Sequence, residues 1–235
     1  PVDDPRLDSL ARAHRPDARH VTFGEAGGEA AADVALVEYT PTDAGSRCVL
    51  DVFGARAELA LQLVGKHVAI DACAALAAAL AAGASIDRAL AGLARARPPA
   101  MRGEVVLVGG RHVIVDCYNA NPASMAAALQ TLAERARGRR ALAVVADMLE
   151  LGDHAAPAHT EVGRLANALG LGVIALGAQA SRVADAHGSA VVVETPRDAA
   201  EQALARSQPG DWLLLKASRG MRLERVLDAM KEKVR

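Results

Sequence analysis

The chain has 235 residues, of which 51% are hydrophobic and 23% are charged, and its formal net charge is −1 at pH 7. At about 100–200 residues per domain, this length fits one large or two modest domains that bury a core. The near-neutral balance argues against broad electrostatic binding to nucleic acid or to an anionic membrane. Aromatic residues make up only 2% of the chain, which leaves few side chains on which single-stranded nucleic acid could stack.

The cysteines and the hydropathy pattern predict a cytoplasmic protein. Cys48, Cys73 and Cys117 lie in apolar runs without C-x-x-C spacing, which is typical of reduced core thiols. The most apolar stretch, residues 68–82, is interrupted by Asp71 and is too short to span a bilayer. No secretory signal peptide opens the sequence, and its first residue is Pro1 rather than methionine. We therefore expect a fragment or a processed product.

The first hundred residues predict strands followed by two helices. Strands are expected at residues 19–24, 33–39, 47–53 and 57–64, the last two joined as an antiparallel hairpin at Gly54. Leu59, Leu61 and Leu63 alternate with smaller or polar residues, as in a half-buried strand. Alanine-rich composition predicts helices at 66–82 and 86–95. Residues 97–103, with two prolines, are the predicted boundary between domains 1–100 and 101–235.

The second region alternates short apolar runs with amphipathic helices. Strands are expected at 104–108, 112–115, 141–146, 173–176, 190–193 and 212–215, and helices at 122–137, 157–169, 178–186, 196–206 and 223–234. A repeated strand and helix predicts an α/β fold, a doubly wound and mostly parallel sheet with helices on both faces.

Polar residues collect where these strands end, which is where open α/β sheets bind ligands. They are Asp116, Tyr118, Asn119, Asn121, Asp147, Glu150, Gly177, Glu194, Lys216, Ser218 and Arg219. Asn121-Pro122 also fits a helix N-cap, and Asp147 with Glu150 fits a solvated turn as well as a shared site. Lys216 and Arg219 either face solvent or bind a carboxylate or phosphate.

Common nucleotide and metal motifs are missing from the sequence. Gly65-Lys66 is followed by His67 rather than Ser or Thr, so it is not a phosphate-binding loop. No G-x-G-x-x-G follows a predicted strand, and the seven histidines show no metal-ligand spacing with the cysteines. The residues alone therefore predict a small-molecule site and no named reaction.

Three motifs, in this order, resemble the carboxyl-terminal half of the Mur ligases, in particular the members that add D-alanyl-D-alanine. They are Asp116-Cys117-Tyr118-Asn119-Ala120-Asn121-Pro122-Ala123-Ser124-Met125, then Ala146-Asp147-Met148-Leu149-Glu150-Leu151-Gly152 with His159 and Val162-Gly163 beyond, then Leu215-Lys216-Ala217-Ser218-Arg219-Gly220-Met221-Arg222. The resemblance extends upstream through Gly65-Lys66-His67 to Asp3-Asp4-Pro5 and so spans essentially the whole chain.

The resemblance implies a three-domain ligase of peptidoglycan precursor synthesis that uses ATP with Mg²⁺. Such an enzyme phosphorylates the terminal carboxylate of UDP-MurNAc-tripeptide, and D-alanyl-D-alanine then attacks the acyl phosphate. Residues 1–100 would be the end of the central ATP-binding domain, and residues 101–235 the carboxyl-terminal Rossmann-like domain. The UDP-substrate domain and the phosphate-binding loop would lie upstream, so the chain alone is expected to be inactive.

The resemblance also implies roles for individual residues. Nucleotide binding is implied for His67, Asp71, Arg102, Asp116, Tyr118, Asn119 and Asn121. Substrate binding is implied for Asp147, Glu150, Lys216, Ser218 and Arg219. Arg102, Asp116 and Lys216 are the candidate catalytic residues, and the ligands of a metal ion are left open.

A second hypothesis follows from a departure from the family pattern. The family's His-Asn-x-x-Asn segment reads His67-Val68-Ala69-Ile70-Asp71 here, and a valine cannot form the hydrogen bonds of an asparagine. The alternative to a ligase is therefore a ligase-like protein with a degraded ATP site, which binds nucleotide, peptide or a partner protein without catalysis.

Overall fold

The computed structural model describes residues 1–28, 30–43 and 45–234. The chain divides into two compact units, Pro1–Arg97 and Pro98–Arg235. All three cysteines are buried and free, and burial raises the pKa of Cys73 to about 12 and that of Cys117 to about 11. Among the described helices, none combines the length and the apolar character needed to cross a membrane.

The first unit is a four-stranded sheet covered by helices. Its sheet order is β1-β2-β3-β4, with β1 parallel to β2 and the other pairs antiparallel. The elements are α1 (Pro5–His14), β1 (Phe23–Glu25), β2 (Val34–Thr42), β3 (Gly45–Val52), β4 (Ala55–Leu61), α2 (Lys66–Ala81) and α3 (Ile86–Ala94). The core packs Leu36, Leu50 and Leu59 of the sheet against Cys73 and Leu76 of α2.

The predicted hairpin is confirmed, because β3 and β4 pair in antiparallel register through a two-residue turn. Phe53 and Gly54 both have positive φ, 52° and 86°, which is the backbone of a turn that matches strand twist. The amide of Gly54 donates to Asp51 Oδ1 at 2.8 Å. Leu59 and Leu61 are buried as the alternation predicts.

Helix α1 was not predicted from the sequence. Its start carries the usual signals, since Asp4 caps the amide of Arg6 and Pro5 follows. It has no buried residue, and Leu7 and Leu10 are exposed. Because no apolar stripe of this helix packs against a core, hydrophobic periodicity could not predict it.

The second unit is a six-stranded sheet of order β5-β6-β10-β7-β8-β9, in which β5 alone runs antiparallel to its neighbour. The elements are β5 (Glu104–Val108), β6 (Arg111–Asp116), α4 (Pro122–Ala136), β7 (Ala141–Val145), α5 (Ala155–Ala168), β8 (Gly172–Leu176), α6 (Ala180–His187), β9 (Val191–Val193), α7 (Pro196–Ala205), β10 (Trp212–Lys216) and α8 (Glu224–Lys233), with short 3-10 turns at Gly152–His154 and Arg219–Met221. The six strands and five helices predicted here are present, with ends shifted by at most two residues.

Helices cover both faces of this sheet, so the predicted doubly wound α/β fold is confirmed. Helices α7 and α8 pack together on one face, where Ala199 and Val226 share a core with Leu213 and Leu215 of β10. Helices α4, α5 and α6 pack side by side against the other face. Every residue of β10 is buried, as expected for a central parallel strand. The carboxyl ends of β6, β10 and β7 therefore lie side by side at one edge.

Helices α5 and α6 approach closely at Gly163, which generates a prediction. A Cβ on Gly163 would lie 2.3 Å from the carbonyl oxygen of Val183 and 2.9 Å from Ala186 Cβ. Because backbone cannot yield easily, we expect Gly163→Ala to lower the free energy of unfolding by about 1–3 kcal/mol, measured by urea denaturation. In the control Gly92→Ala, nothing lies within 4 Å of the new methyl group, and a gain of about 0.5–1 kcal/mol is expected. Equal stability of the Gly163→Ala variant and the wild type would contradict this packing.

Candidate functional site

The carboxyl edge of the second sheet is organised by a buried lysine. Lys216 ends β10 and its side chain is 2% exposed, while Asp116 ends the neighbouring strand β6 and is 24% exposed. Lys216 Nζ lies 2.8 Å from Asp116 Oδ2 and donates to the carbonyl oxygen of Asn119, also at 2.8 Å. The ammonium therefore fixes both the carboxylate and the turn that follows it. A direct substrate contact of Lys216 remains a prediction, to which the structure adds this internal role.

The turn after Asp116 leads into α4 and is stabilised as a helix cap. Asn121 Oδ1 accepts from the amide of Ser124 at 2.8 Å, and Ser124 Oγ accepts from the amide of Asn121 at 3.0 Å. These reciprocal bonds form a capping box, so the cap interpretation of Asn121 is confirmed. Asn119 is exposed beside it. The nucleotide contacts implied for both asparagines remain predictions.

Asp147 lies just beyond β7 and joins it to the next strand end. Its carboxylate accepts from the amides of Ala178 at 2.8 Å and Gln179 at 3.0 Å, at the start of α6. A Cβ on Gly177 would lie 2.6 Å from Asp147 Oδ1, so the close approach requires a glycine there. Both carboxylate oxygens thus serve the helix terminus, which favours a structural role over the predicted substrate contact.

His159 of α5 holds the segment that follows Asp147. Its Nε2 accepts from the amide of Met148 at 2.9 Å, and because an amide can only donate, the ring proton resides on Nδ1. That Nδ1 lies 2.6 Å from the carbonyl oxygen of Ala155, to which it donates. The buried ring is therefore a neutral bridge between α5 and the loop.

Ser218 connects the same loop to β10 and to the Asn121 turn. Its Oγ accepts from the amide of Leu149 at 2.9 Å and lies 3.4 Å from the carbonyl oxygen of Ala120. Glu150, next in the loop, is exposed and has a φ of 64°. Ser218 is buried, so its implied substrate contact remains a prediction, whereas Glu150 is accessible to a ligand.

Arg102 and Tyr118 stack on each other near the start of the unit. The guanidinium carbon of Arg102 lies 3.9 Å from the centroid of the Tyr118 ring, and both residues are exposed. The amide of Tyr118 donates to the carbonyl oxygen of Met101 at 3.2 Å, which places residue 101 beside the strand end of β6. Asp116 and Tyr118 follow β6 at this edge, and Arg102, which the strand pattern did not place there, lies beside them through its contact with Tyr118.

Arg219 forms an ion pair that was not predicted. Its guanidinium lies 2.7 Å from Glu224 Oε1, at the start of α8. Burial alone would raise the pKa of Glu224, but the hydrogen bond from Arg219 and nearby charges outweigh it and the pKa is lowered. The same hydrogen bond raises the pKa of Arg219. A carboxylate ligand at Arg219 would have to share or displace Glu224.

His67 and Asp71 belong to the first unit. They lie four residues apart on α2, so one turn separates them on the same face, and both are exposed. Val68 between them is half-buried. The nucleotide contact implied for this pair remains a prediction.

The second-unit edge is suited to an anionic ligand. Asn121 and Thr195 cap the N-termini of α4 and α7, and Asp147 accepts from two amides just before α6, so these helix ends already have acceptors. Positive charge at the edge is therefore offered mainly by side chains, Arg102 among them. His159 was part of the second motif, but the sequence assigned it no role. Glu224 was not predicted at all, although it lies shortly after the third motif.

The Lys216–Asp116 pair generates a second prediction. Asp116→Asn leaves a buried ammonium without its counter-charge, and we expect a loss of about 3–5 kcal/mol in the free energy of unfolding. Lys216→Met leaves a carboxylate that is partly exposed and can reach water, so its cost should be smaller. Chemical denaturation of both variants and of the double variant measures the difference. Equal costs, or a larger cost for Lys216→Met, would contradict the asymmetry.

Known proteins are similar to this chain in sequence and in fold. The Mur ligase, glutamate ligase domain family matches residues 101–219. The UDP-N-acetylmuramoyl-tripeptide–D-alanyl-D-alanine ligase of Mycobacterium tuberculosis H37Rv is 35% identical, with 97% of this chain and 49% of the relative covered. The ligase of the same name from Escherichia coli K12 is 33% identical, covering 81% of this chain and 43% of the relative.

Solved structures show the same fold. A MurF structure from Acinetobacter baumannii is 27% identical with a TM-score of 0.83, covering 95% of this chain and 49% of that one. The MurF ligase from Thermotoga maritima in complex with ADP has a TM-score of 0.82 at 24% identity, covering 97% and 52%, and supports the fold alone. The chain spans about half the length of the curated relatives that it matches. With its family match, its relatives and its three motifs in order, the chain belongs to the Mur ligase family.

Proposed function

We propose that this chain supplies the carboxyl-terminal half of an ATP-dependent ligase that joins D-alanyl-D-alanine to UDP-MurNAc-tripeptide. The observation that carries the proposal is an exposed Arg102 over the ring of Tyr118, two residues beyond an Asp116 fixed by Lys216, at the carboxyl edge of a Mur ligase sheet. The relatives described above are named for this reaction and support it. A cytoplasmic location, where ATP and UDP-linked precursors occur, is part of the proposal.

The donors and acceptors at this edge fit a nucleotide. Arg102 forms no ion pair among the described residues, so its fork of N–H donors can meet a phosphate. Lys216 occupies Oδ2 of Asp116, and Oδ1 is left to accept from a sugar hydroxyl. Asn119 and Tyr118 are exposed beside them. In this proposal Asn121 contributes through the cap that orients the turn, while the nucleotide contact of His67 and Asp71 stays a separate prediction for the first unit.

Magnesium would accompany the nucleotide. Among residues 1–28, 30–43 and 45–234, no group of three or more His, Cys, Asp or Glu side chains is placed to hold a metal ion. Mg²⁺ bound with a nucleotide takes most of its ligands from phosphate and water, with one or two carboxylates from protein. The absence of a preformed cluster therefore does not conflict with this cofactor.

The proposed reaction divides into two transfers. The substrate carboxylate takes the terminal phosphoryl group of ATP and ADP leaves, and then the amine of D-alanyl-D-alanine displaces phosphate from the acyl carbon. Both steps build negative charge on phosphate oxygens, which preorganised cations stabilise in a site that excludes water. Arg102 would serve the phosphates, and Arg219 the carboxylate of the dipeptide, because a planar guanidinium binds a carboxylate through two parallel bonds.

The experiment that tests the proposal is a hybrid ligase. Residues 1–235 replace the matching carboxyl-terminal half of the M. tuberculosis relative, and mass spectrometry follows conversion of tripeptide to pentapeptide. We expect product that depends on ATP, Mg²⁺ and D-alanyl-D-alanine, and loss of product in the Arg102→Ala hybrid. A folded hybrid that binds ATP and forms no product would instead support the non-catalytic alternative.

The unaided chain generates a further prediction. The sequence contains no phosphate-binding loop, so we expect the purified 235 residues to form no amide and to hydrolyse no ATP above background. A coupled ADP assay with and without both substrates measures this. ATP-dependent ligation by the chain alone would contradict it.

Arg219 generates a prediction within the active hybrid. Removing its charge-assisted bonds in Arg219→Ala should raise KM for D-alanyl-D-alanine by about 10- to 100-fold, with KM for ATP little changed. Arg225→Ala removes another exposed arginine on the neighbouring helix and serves as the matched control. Unchanged KM for the dipeptide in Arg219→Ala would assign Arg219 to its ion pair with Glu224 alone.

A further inference from the structure

Arg102 is held by an aromatic ring rather than by a carboxylate. Its guanidinium carbon lies 3.9 Å from the centroid of the Tyr118 ring, and no hydrogen bond or ion pair of its side chain occurs among the described residues. Stacking uses the face of the guanidinium, whereas its five N–H donors point outward in the plane. The contact therefore restrains the cation without using any of its donors.

The backbone fixes both members of the stack. The amide of Gly103 donates to the carbonyl oxygen of Val115 at 3.0 Å, and the amide of Tyr118 donates to that of Met101 at 3.2 Å. Arg102 thus lies between two residues that are hydrogen-bonded to the end of β6 or to the turn after it. Met101 has a φ of 61°, a costly conformation for a side chain of its size, and it packs against the core of the unit.

The carboxylate that precedes Tyr118 is already paired. Asp116, two residues before Tyr118, has its Oδ2 at 2.8 Å from Lys216 Nζ. The side chain of Arg102 has no ion-pair partner among the described residues. A bidentate pair with a carboxylate would engage two of its donors and cancel its charge, so without one the donors and the charge stay available to a ligand.

We propose that Tyr118 is a positioning residue, whose ring holds Arg102 ready to bind an anionic phosphate group with all of its N–H donors available. The proposal rests on the proposed function, in which Arg102 meets the phosphates of ATP. It differs from the nucleotide contact implied for Tyr118 itself, because the ring acts through the arginine.

The test uses the 235-residue chain and inorganic triphosphate as the probe. NMR of ¹⁵N-labelled arginine follows the Nε–H resonance of Arg102, identified by its loss in Arg102→Ala. A guanidinium above a ring carries an upfield ring-current shift, which should be present in the wild type and in Tyr118→Phe and lost in Tyr118→Leu. Tyr118 is 43% exposed, so these variants should keep their melting temperature.

Titration of the same resonance measures affinity at this site alone. We expect Kd for triphosphate to rise about twofold to fivefold in Tyr118→Leu, the range that an exposed cation–π contact provides. Tyr118→Phe keeps the ring and should restore the wild-type Kd. Phe53→Leu removes the other exposed arginine–aromatic contact, in which Arg19 lies 5.8 Å from the ring centroid, and should leave Kd unchanged.

The outcomes separate this inference from the proposed function. If triphosphate shifts Arg102 with equal Kd in the wild type and Tyr118→Leu, the positioning role is overturned and the phosphate contact stands. If triphosphate leaves Arg102 unperturbed in the wild type, both the positioning role and the phosphate contact of the proposed function are overturned. A weaker Kd in Tyr118→Leu, restored in Tyr118→Phe, supports the inference.

Discussion

The buried ion pair of Lys216 with Asp116 is the interaction on which the candidate site depends. Strand β10 is the last strand along the chain, yet it enters the middle of the sheet between β6 and β7. In the observed register Lys216 pairs with Asp116 on one side and with Val145 on the other. A two-residue slip would keep every side chain on its face but would leave a buried ammonium without its partner, which is costly. The pair therefore fixes the register of the central strand and the turn after β6 together.

This pair also contributes to which charged groups at the edge are engaged internally and which are accessible. Lys216 and the first amides of α6 engage the carboxylates of Asp116 and Asp147 from inside the fold. Arg102 is restrained by an uncharged ring and keeps its charge facing outward. Because these two carboxylates are engaged internally while Arg102 is left accessible, the part of the edge at Arg102 favours a phosphate or carboxylate ligand over a cationic one.

The fold could be predicted from the sequence wherever burial gave the apolar residues a regular spacing. The apolar runs of β6, β7, β8 and β10 predicted a parallel sheet, and that sheet predicted which polar residues share an edge. Helix α1 was not predicted because none of its residues is buried. The capping signals at Asp4 and Pro5 were therefore not supported by an apolar stripe. The antiparallel direction of β5 was also not predicted. It depends on the geometry of a two-glycine turn, about which hydrophobic periodicity carries no information.

Within the site, residue types predicted location better than role. Asn121 and Asp147 were correctly placed at the edge, but which backbone amides they accept from depends on where α4 and α6 begin, to within an ångström. Lys216 was expected either to face solvent or to bind a carboxylate or phosphate, and only the structure shows its side chain 2% exposed, with the ammonium between two acceptors. Partners distant in sequence, such as Lys216 and Asn119, are not encoded by any local pattern.

The segment that departs from the family pattern can differ without a change of fold. Val68 is half-buried and Asp71 is exposed on α2, whereas the core face of that helix consists of residues such as Cys73 and Leu76. Compared with the family asparagines, Val68 lacks any side-chain hydrogen-bonding group and Asp71 lacks the amide donors, and neither change removes packing from the core. A chain with an intact ATP site and one with a degraded site would therefore share this structure. Because Arg102 and Asp116 lie in the other unit, the phosphate contact proposed for Arg102 does not depend on this segment, so binding and the proposed ligation must be measured separately.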